Sequence, residues 1–373
     1  LFFRNSLTVA VEVLFLNATK HQLLWKRLKR CAVLKMSDLS LYWKATMPFY
    51  QPTCNESTLD ELLAEEILEE PVHIILISVG IIAFLGNALL FVTIVLKKRI
   101  SGRDKFCIGF CFGSMLLAIS YVLEYGRMLT FHESVSCITI LQCNKLALYP
   151  TVHTCGTMVV SVSILVMAVQ MLVAATYMNV LVIERYLVKV YLVLCTLSSL
   201  AVVIGLWVYA WMNQNEVMPS FCYFYDAVSY FGFCLALFCV ITFKVTLILY
   251  FAACFMLRKR KSAISSELHA IQLRRQFKYV KQFVLETACT TLFQYVPNLL
   301  DICHIAGLLD DVPDLAYCSE IIGLILYALL CLMCDRERRV TLVHFSKFVR
   351  TGSWKASVRF VTSRTAVHSA TWA

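Results

Sequence analysis

Charge is scarce in this sequence. Asp, Glu, Lys and Arg make up only 16% of its 373 residues, whereas a soluble domain carries about a quarter, and the shortage excludes the surface of an ordinary water-exposed enzyme. The eight histidines form no HxxxH or HExxH pair, and neither a GxSxG elbow nor a GxxxxGK[ST] loop occurs. Metalloprotease, serine hydrolase and nucleotidase chemistry therefore lose their usual anchors, and neither a metal nor a cofactor is expected. Zinc-module spacing is missing as well: the one CxxC pair, Cys331 and Cys334, closes an apolar run. Most of the 17 cysteines lie inside such runs, where a thiol acts as a small buried hydrophobe, so no disulfide scaffold is expected.

What the sequence has instead is length without charge. Sixty per cent of the residues are apolar, and seven segments, roughly 71–96, 106–130, 153–183, 190–212, 227–257, 283–303 and 315–334, are long and nearly uncharged. About 20 apolar residues cross a bilayer core of ~30 Å as a helix. The expected fold class is all-α, a seven-transmembrane helix bundle over 71–334, with an amino-terminal region over 1–70 and a tail over 335–373. The net charge of +10 would suggest nucleic acid in a soluble protein. Here its distribution points to membrane lipids, with no nucleic-acid partner.

That distribution is one-sided. Lys and Arg number five in 97–105, two in 184–189, eight in 258–282 and eight in 335–373, against Lys145 alone in 131–152 and none in 213–226 or 304–314. Positive residues beside membrane helices stay cytoplasmic, so the tail is expected inside and residues 55–70 outside. Residues 1–46 fit this poorly, because Lys26, Arg27, Lys29 and Arg30 fall on the outer side. The stretch is expected to be a gene-model extension with Met36 or Met47 as the start, the alternative being a real, loosely ordered arm. Asn55-Glu56-Ser57 is a glycosylation candidate on the outer side, and Asn17-Ala18-Thr19 a second sequon.

Charges within spans are costly and mark sites. Glu124 and Arg127, spaced i,i+3, can pair on one helix face or contact a ligand. Lys244 and Glu286 are spaced for a bridge between spans five and six, or else Lys244 snorkels. Tyr295, Asp301 and Glu320 share an outer depth suited to a small-molecule pocket. Cys222 can bridge only with a thiol on its own side: Cys137, Cys143 or Cys155. After span seven, Val340, Leu342, Val343, Phe345 and Phe348 are spaced for an interfacial amphipathic helix, beside which Cys331 and Cys334 could carry palmitate. The basic groups at 258–261 and 274–281 could meet anionic lipid or a signalling partner.

Glu184-Arg185-Tyr186 closes the predicted third span, with Gly86-Asn87 in the first, Trp207 in the fourth, and Gln294-Tyr295-Val296-Pro297 in the sixth. In this order the chain resembles the rhodopsin-like G-protein-coupled receptors, and most closely the nematode serpentine chemoreceptors of the Sra superfamily (the Sra, Srab, Srb and Sre groups). The resemblance covers about Pro71 to Arg339. It implies a plasma-membrane chemoreceptor, not an enzyme, which passes a small-molecule signal to a heterotrimeric G protein. Glu184, Arg185, Tyr186 and Tyr327 would form the switch, Asn87 and Trp207 would pack the helices, and Pro297 would be the hinge. The family bridge implies Cys155 as the partner of Cys222, with Cys143 next. The sequence departs from the family in lacking an Asp in span two, in carrying Gly323-Leu324-Ile325-Leu326-Tyr327 where Asn-Pro-x-x-Tyr is usual, and in placing Phe277 where many relatives have an acid. A sodium site and that acid lock are therefore not expected. The competing class is a ligand-gated channel or transporter, which the orientation and the lack of an internal repeat disfavour. The absence of Lys from 315–334 argues against an opsin-like pigment.

Overall fold

The computed structural model describes residues 54, 56–97, 100–130, 136–176, 180–263, 291–299 and 313–351. The chain divides into two units, Leu1–Gln51 and Pro52–Ala373, and every described residue belongs to the second. Its elements run in chain order as α1 (Glu56–Val95), α2 (Gly102–Thr130), β1 (Cys137–Thr139), α3 (Ile140–Leu146), α4 (Tyr149–Thr176), α5 (Val180–Met212), β2 (Val217–Pro219), α6 (Phe224–Ala263), a π-helical turn (Thr291–Tyr295), α7 (Pro313–Cys334) and α8 (Arg336–Thr351). Five of these helices, α1, α2, α4, α5 and α6, contain stretches long and apolar enough to cross a membrane. A sixth span results if α7 and α8, which meet at a 98° bend, are taken together. Of the predicted span 283–303, only 291–299 lie among the described residues.

A helical membrane bundle satisfies every backbone group inside its own helices, and its polar side chains must find partners there too. The central helix α4 illustrates this. Thr154 and Thr157 donate to the carbonyls of Pro150 and His153, each at 2.9 Å, and Ser163 Oγ donates to Val159 O. Close packing is set by small residues. Gly113 of α2 and Gly156 of α4 face each other so tightly that a Cβ on either would lie about 3.0 Å from the other's carbonyl oxygen.

The main core joins α1, α2, α4, α6 and α7, and includes Leu90, Phe106, Phe110, Leu117, Ile164, Met167, Phe243, Leu324 and Tyr327. Helix α5 is peripheral, with Leu192, Leu197, Leu200, Ile204 and Trp211 exposed, the surface that lipid would cover. A second, smaller core lies at one end of the bundle, where Ile140, Cys143, Tyr149, Met218, Cys222 and Phe224 pack beneath a two-stranded sheet. In that sheet β1 pairs antiparallel with β2, Cys137 opposite Pro219 and Thr139 opposite Val217. Thr139 caps α3 through a reciprocal box with Gln142. This end is called the strand end below.

Three sequence expectations are corrected here. The apolar run 153–183 is not one span: α4 ends at Thr176 and the next helix begins at Val180. Hydropathy continues across that break and hides it. Glu184, Arg185 and Tyr186 thus stand in the first turns of α5 rather than at the end of the third long helix, and 184–189 is helical rather than a turn. The disulfide is also different. Cys137 is bonded to Cys54 with their Cα atoms 5.8 Å apart, while Cys155, Cys222 and Cys143 remain thiols. Cys222 lies fully buried in the small core with a left-handed φ of 61°, and Tyr149 donates to its carbonyl. Finally, Cys331 is buried in the main core and so has no room for a palmitoyl chain.

Candidate functional site

Two polar clusters occupy opposite ends of the bundle. At the strand end, the segment between β2 and α6 is drawn down onto α2 and α4 by buried side chains. Arg127 donates through Nε and Nη2 to the carbonyl of Ser220 at 3.2 and 3.0 Å. The Phe224 N–H donates to Glu124 Oε1 at 2.9 Å, and Tyr149 donates to the Phe221 carbonyl at 3.1 Å. Glu124 and Arg127, expected as a pair on one face, both reach across to this segment.

Below it, Tyr121 donates its phenolic proton to Glu320 Oε2 at 2.6 Å, tying α2 to α7. The distance is in the range of a charge-assisted O–H···O bond. Glu320 lies deep among protein atoms but keeps accessible surface. Ser120 Oγ is 3.2 Å from His153 Nδ1. The His153 ring stands edge-on to Tyr121 and is tilted over Phe224, with centroids 5.3 and 4.1 Å apart. A carboxylate, an imidazole, two hydroxyls and aromatic faces from α2, α4, α6 and α7 converge here, the mix that orients a small polar ligand among apolar walls.

The opposite end is held by formal charges. Ser101 and Asp104 cap α2 reciprocally: the Asp104 N–H donates to Ser101 Oγ at 3.2 Å, and the Ser101 N–H to Asp104 Oδ2 at 3.0 Å. At the start of α8, Asp335 Oδ1 accepts the Glu337 N–H at 3.0 Å, an Asp N-cap. Between these acids lies Arg338, only 2% exposed. Its Nη2 donates to Asp104 Oδ1 at 3.1 Å, and its Nε stands 3.3 Å from Asp335 Oδ2. Lys97, just beyond the apolar part of α1, is 3.2 Å from Asp104 and 2.9 Å from Glu337. Burial opposes its charged form, but the Glu337 hydrogen bond and Asp104 outweigh this and raise its pKa above the ordinary lysine value. Close to Arg338, Cys107 and Cys111 on α2 and Cys331 on α7 are buried in the main core. This end is called the ionic end.

Between the two clusters lie other residues singled out in the sequence. Asn87 is fully buried and donates to its own Ala83 carbonyl at 2.9 Å and to Leu324 O of α7 at 3.3 Å. Tyr327 stacks on Phe110 with centroids 3.9 Å apart and points its hydroxyl at Met167 Sδ. Tyr295 is half-buried against the main core, and Pro297, just after the π-helical turn, is buried. Phe293 of that turn covers Gly323 of α7 so closely that no side chain fits there.

Trp207 is half-buried on α5. Glu184 packs onto Gly102 at the start of α2, Arg185 is exposed, and Tyr186 is 68% exposed. Of the triplet, only Glu184 touches the bundle, while Arg185 and Tyr186 face outward. Lys244 is exposed on α6. Asn55, Phe277, Glu286 and Asp301 lie outside the described residues.

Sequence reasoning missed Tyr121 and His153, which read there as members of an apolar run, passed over Asp104, and counted Arg338 only as a tail charge. One signal was present for the ionic end: Ser101-x-x-Asp104 before an apolar run is a helix-start motif. No protein-family model matches the chain, and a search of curated proteins finds no match.

Proposed function

We propose that this chain is a seven-helix chemoreceptor of the plasma membrane, with the strand end outside and the ionic end cytoplasmic. It binds a small molecule between the helices beside Glu320 and passes the signal to a heterotrimeric G protein. The observation that carries this reading is the Tyr121–Glu320 bond at 2.6 Å. It places an acid with accessible surface deep in an apolar bundle, where an ionisable group is costly unless it serves a function.

A ligand that accepts the Tyr121 proton and donates to Glu320 replaces one bond between α2 and α7 by two bonds to itself. It can shift the helices only if that exchange is more favourable in one arrangement of the bundle than in the other. The charge asymmetry of the connections supports the orientation. The order of Asn87, Trp207 and Pro297 supports the receptor class, while the Glu184-Arg185-Tyr186 triplet lends it less support from its place on α5.

The test is heterologous expression with purified G proteins and a panel of volatile and soluble compounds, reading nucleotide exchange. At least one compound should stimulate exchange, and Glu320→Gln should weaken its potency by about tenfold, the scale of a lost hydrogen bond to a charged group. Transmembrane current without exchange would transfer the chain to the channel class.

A further inference from the structure

Helices α2 and α7, the latter continued by α8, are linked at three levels. Tyr121 bonds Glu320 at the strand end, Phe110 stacks on Tyr327 midway, and Asp104 pairs with Arg338 at the ionic end. About 25 Å of helix separates Asp104 from Tyr121. The outer and middle links are neutral or singly charged contacts. The ionic link is different in kind.

Arg338 is among the largest fully buried side chains described, and it is incompletely satisfied. Among the described residues its Nη1 has no hydrogen-bond partner, and its Nε contact to Asp335 lacks hydrogen-bond geometry. A buried ion pair repays the desolvation of its charges only when its remaining donors are also bonded. A permanent staple is better built from apolar groups or from a fully bonded guanidinium. A half-bonded Arg338 makes the closed arrangement costly, so a modest input can open it.

Its position suits release. It lies three residues past Asp335, at the corner where α7 turns by 98° into α8, so any movement of α7 is applied directly to it. Arg185, by contrast, is exposed on peripheral α5.

We infer that the Asp104–Arg338 pair is a closed-state latch: it holds α8 against the start of α2, must break before the ionic end can accept a signalling partner, and makes Arg338, not Arg185, the switch arginine of this chain. The latch itself is a property of the fold. Only its link to a G protein rests on the receptor reading above. When the pair breaks, the guanidinium leaves the bundle for water or a partner's carboxylate, and Cys107, Cys111 and Cys331 lose their cover.

Those native thiols supply the measurement. The full-length protein in phosphatidylcholine–phosphatidylglycerol nanodiscs is treated with N-ethylmaleimide, and modification of Cys107, Cys111 and Cys331 is followed by mass spectrometry, in parallel with basal nucleotide exchange on purified G proteins. Arg338→Met should raise the labelling rate at least about tenfold, well within what loss of one partner of a buried pair supplies. Arg338→Lys, which keeps a point charge but loses the guanidinium fork, should fall between. Basal exchange should rise in the same order.

A folded Arg338→Met protein that labels like the unmodified chain would overturn the latch. So would an Arg338→Met protein that fails to fold beside an Arg338→Lys protein that labels normally, because the pair would then be a structural staple. Faster labelling without exchange on any G protein would keep the latch and remove the receptor reading. Exchange with unchanged labelling would do the reverse.

Discussion

The two ends of this bundle solve the same problem by opposite means. At the strand end, polar side chains of α2 and α4 are satisfied largely by backbone groups of one connecting segment, Ser220 to Phe224, which the small core of Tyr149, Met218 and Cys222 holds in place. At the ionic end, Asp104, Asp335, Glu337, Lys97 and Arg338 are paired mainly side chain to side chain, with Arg338 only partly bonded. Backbone partners cannot move without refolding the segment that carries them. Side-chain partners can separate by rotating about their own bonds. The comparison teaches that rigidity belongs to the strand end, and that the capacity to open belongs to the ionic end.

Breaking the ionic end should therefore have the largest effect on stability. Asp104→Asn leaves Arg338 buried opposite a neutral group and should destabilise the folded bundle by about 3–5 kcal/mol, the cost of removing one partner of a buried pair. Thermal unfolding in nanodiscs, compared with Lys97→Met at the rim of the same cluster, should show the Asp104 variant clearly lower. Equal losses in the two variants would mean that the buried position of the Asp104–Arg338 pair confers nothing special.

The strand end is tested next through its covalent tie. Cys54→Ser and Cys137→Ser should each cost about 2–4 kcal/mol, and the double variant no more than either single one, as partners in one bond require. Cys155→Ser should leave the stability within about 0.5 kcal/mol of the unmodified chain, provided the half-buried site tolerates the smaller atom. A large loss for Cys155→Ser, matched by Cys222→Ser, would restore the pairing implied by the family resemblance.

The smallest expected effect lies outside both ends. Arg185→Lys on exposed α5 should change stability by less than about 0.5 kcal/mol and leave N-ethylmaleimide labelling of the ionic end unaltered. A strong loss of nucleotide exchange in that variant, with normal labelling, would return the switch role to Arg185.

How far the sequence reveals this arrangement depends on which physical signal each part leaves. Long apolar runs locate α2, α6 and α7 to within about six residues, because burial in lipid demands continuous hydrophobicity, whereas α1 and α5 begin at Glu56 and Val180, well before the expected 71 and 190. The same continuity conceals the break between Thr176 and Val180, since the residues on either side are equally apolar, and with it the true place of Glu184-Arg185-Tyr186. Glu320 stands out in sequence as a charge within a span, whereas its partner Tyr121 does not, because a tyrosine in an apolar run has no periodic or charge signature. Arg338 was hidden for the opposite reason. It lies among Arg336, Glu337 and Arg339, and only the fold shows that this one of the neighbouring charges turns inward while Glu337 and Arg339 stay exposed. Cys54 and Cys137 are 83 residues apart, and no local pattern links them.

In this account the Tyr121–Glu320 bond and the latch at Arg338 influence each other through α2 and α7. A double-mutant cycle tests it without any ligand: the N-ethylmaleimide labelling rate of Cys331 is measured in the unmodified chain, in Tyr121→Phe, in Arg338→Lys and in the combined variant. Tyr121→Phe alone should speed labelling at the far end, and the combined effect should differ from the sum of the two single effects by more than about 0.5 kcal/mol, the usual bound for independent sites. A Tyr121→Phe protein that labels like the unmodified chain, with single effects that simply add, would show that the two ends are energetically separate and would contradict the claim.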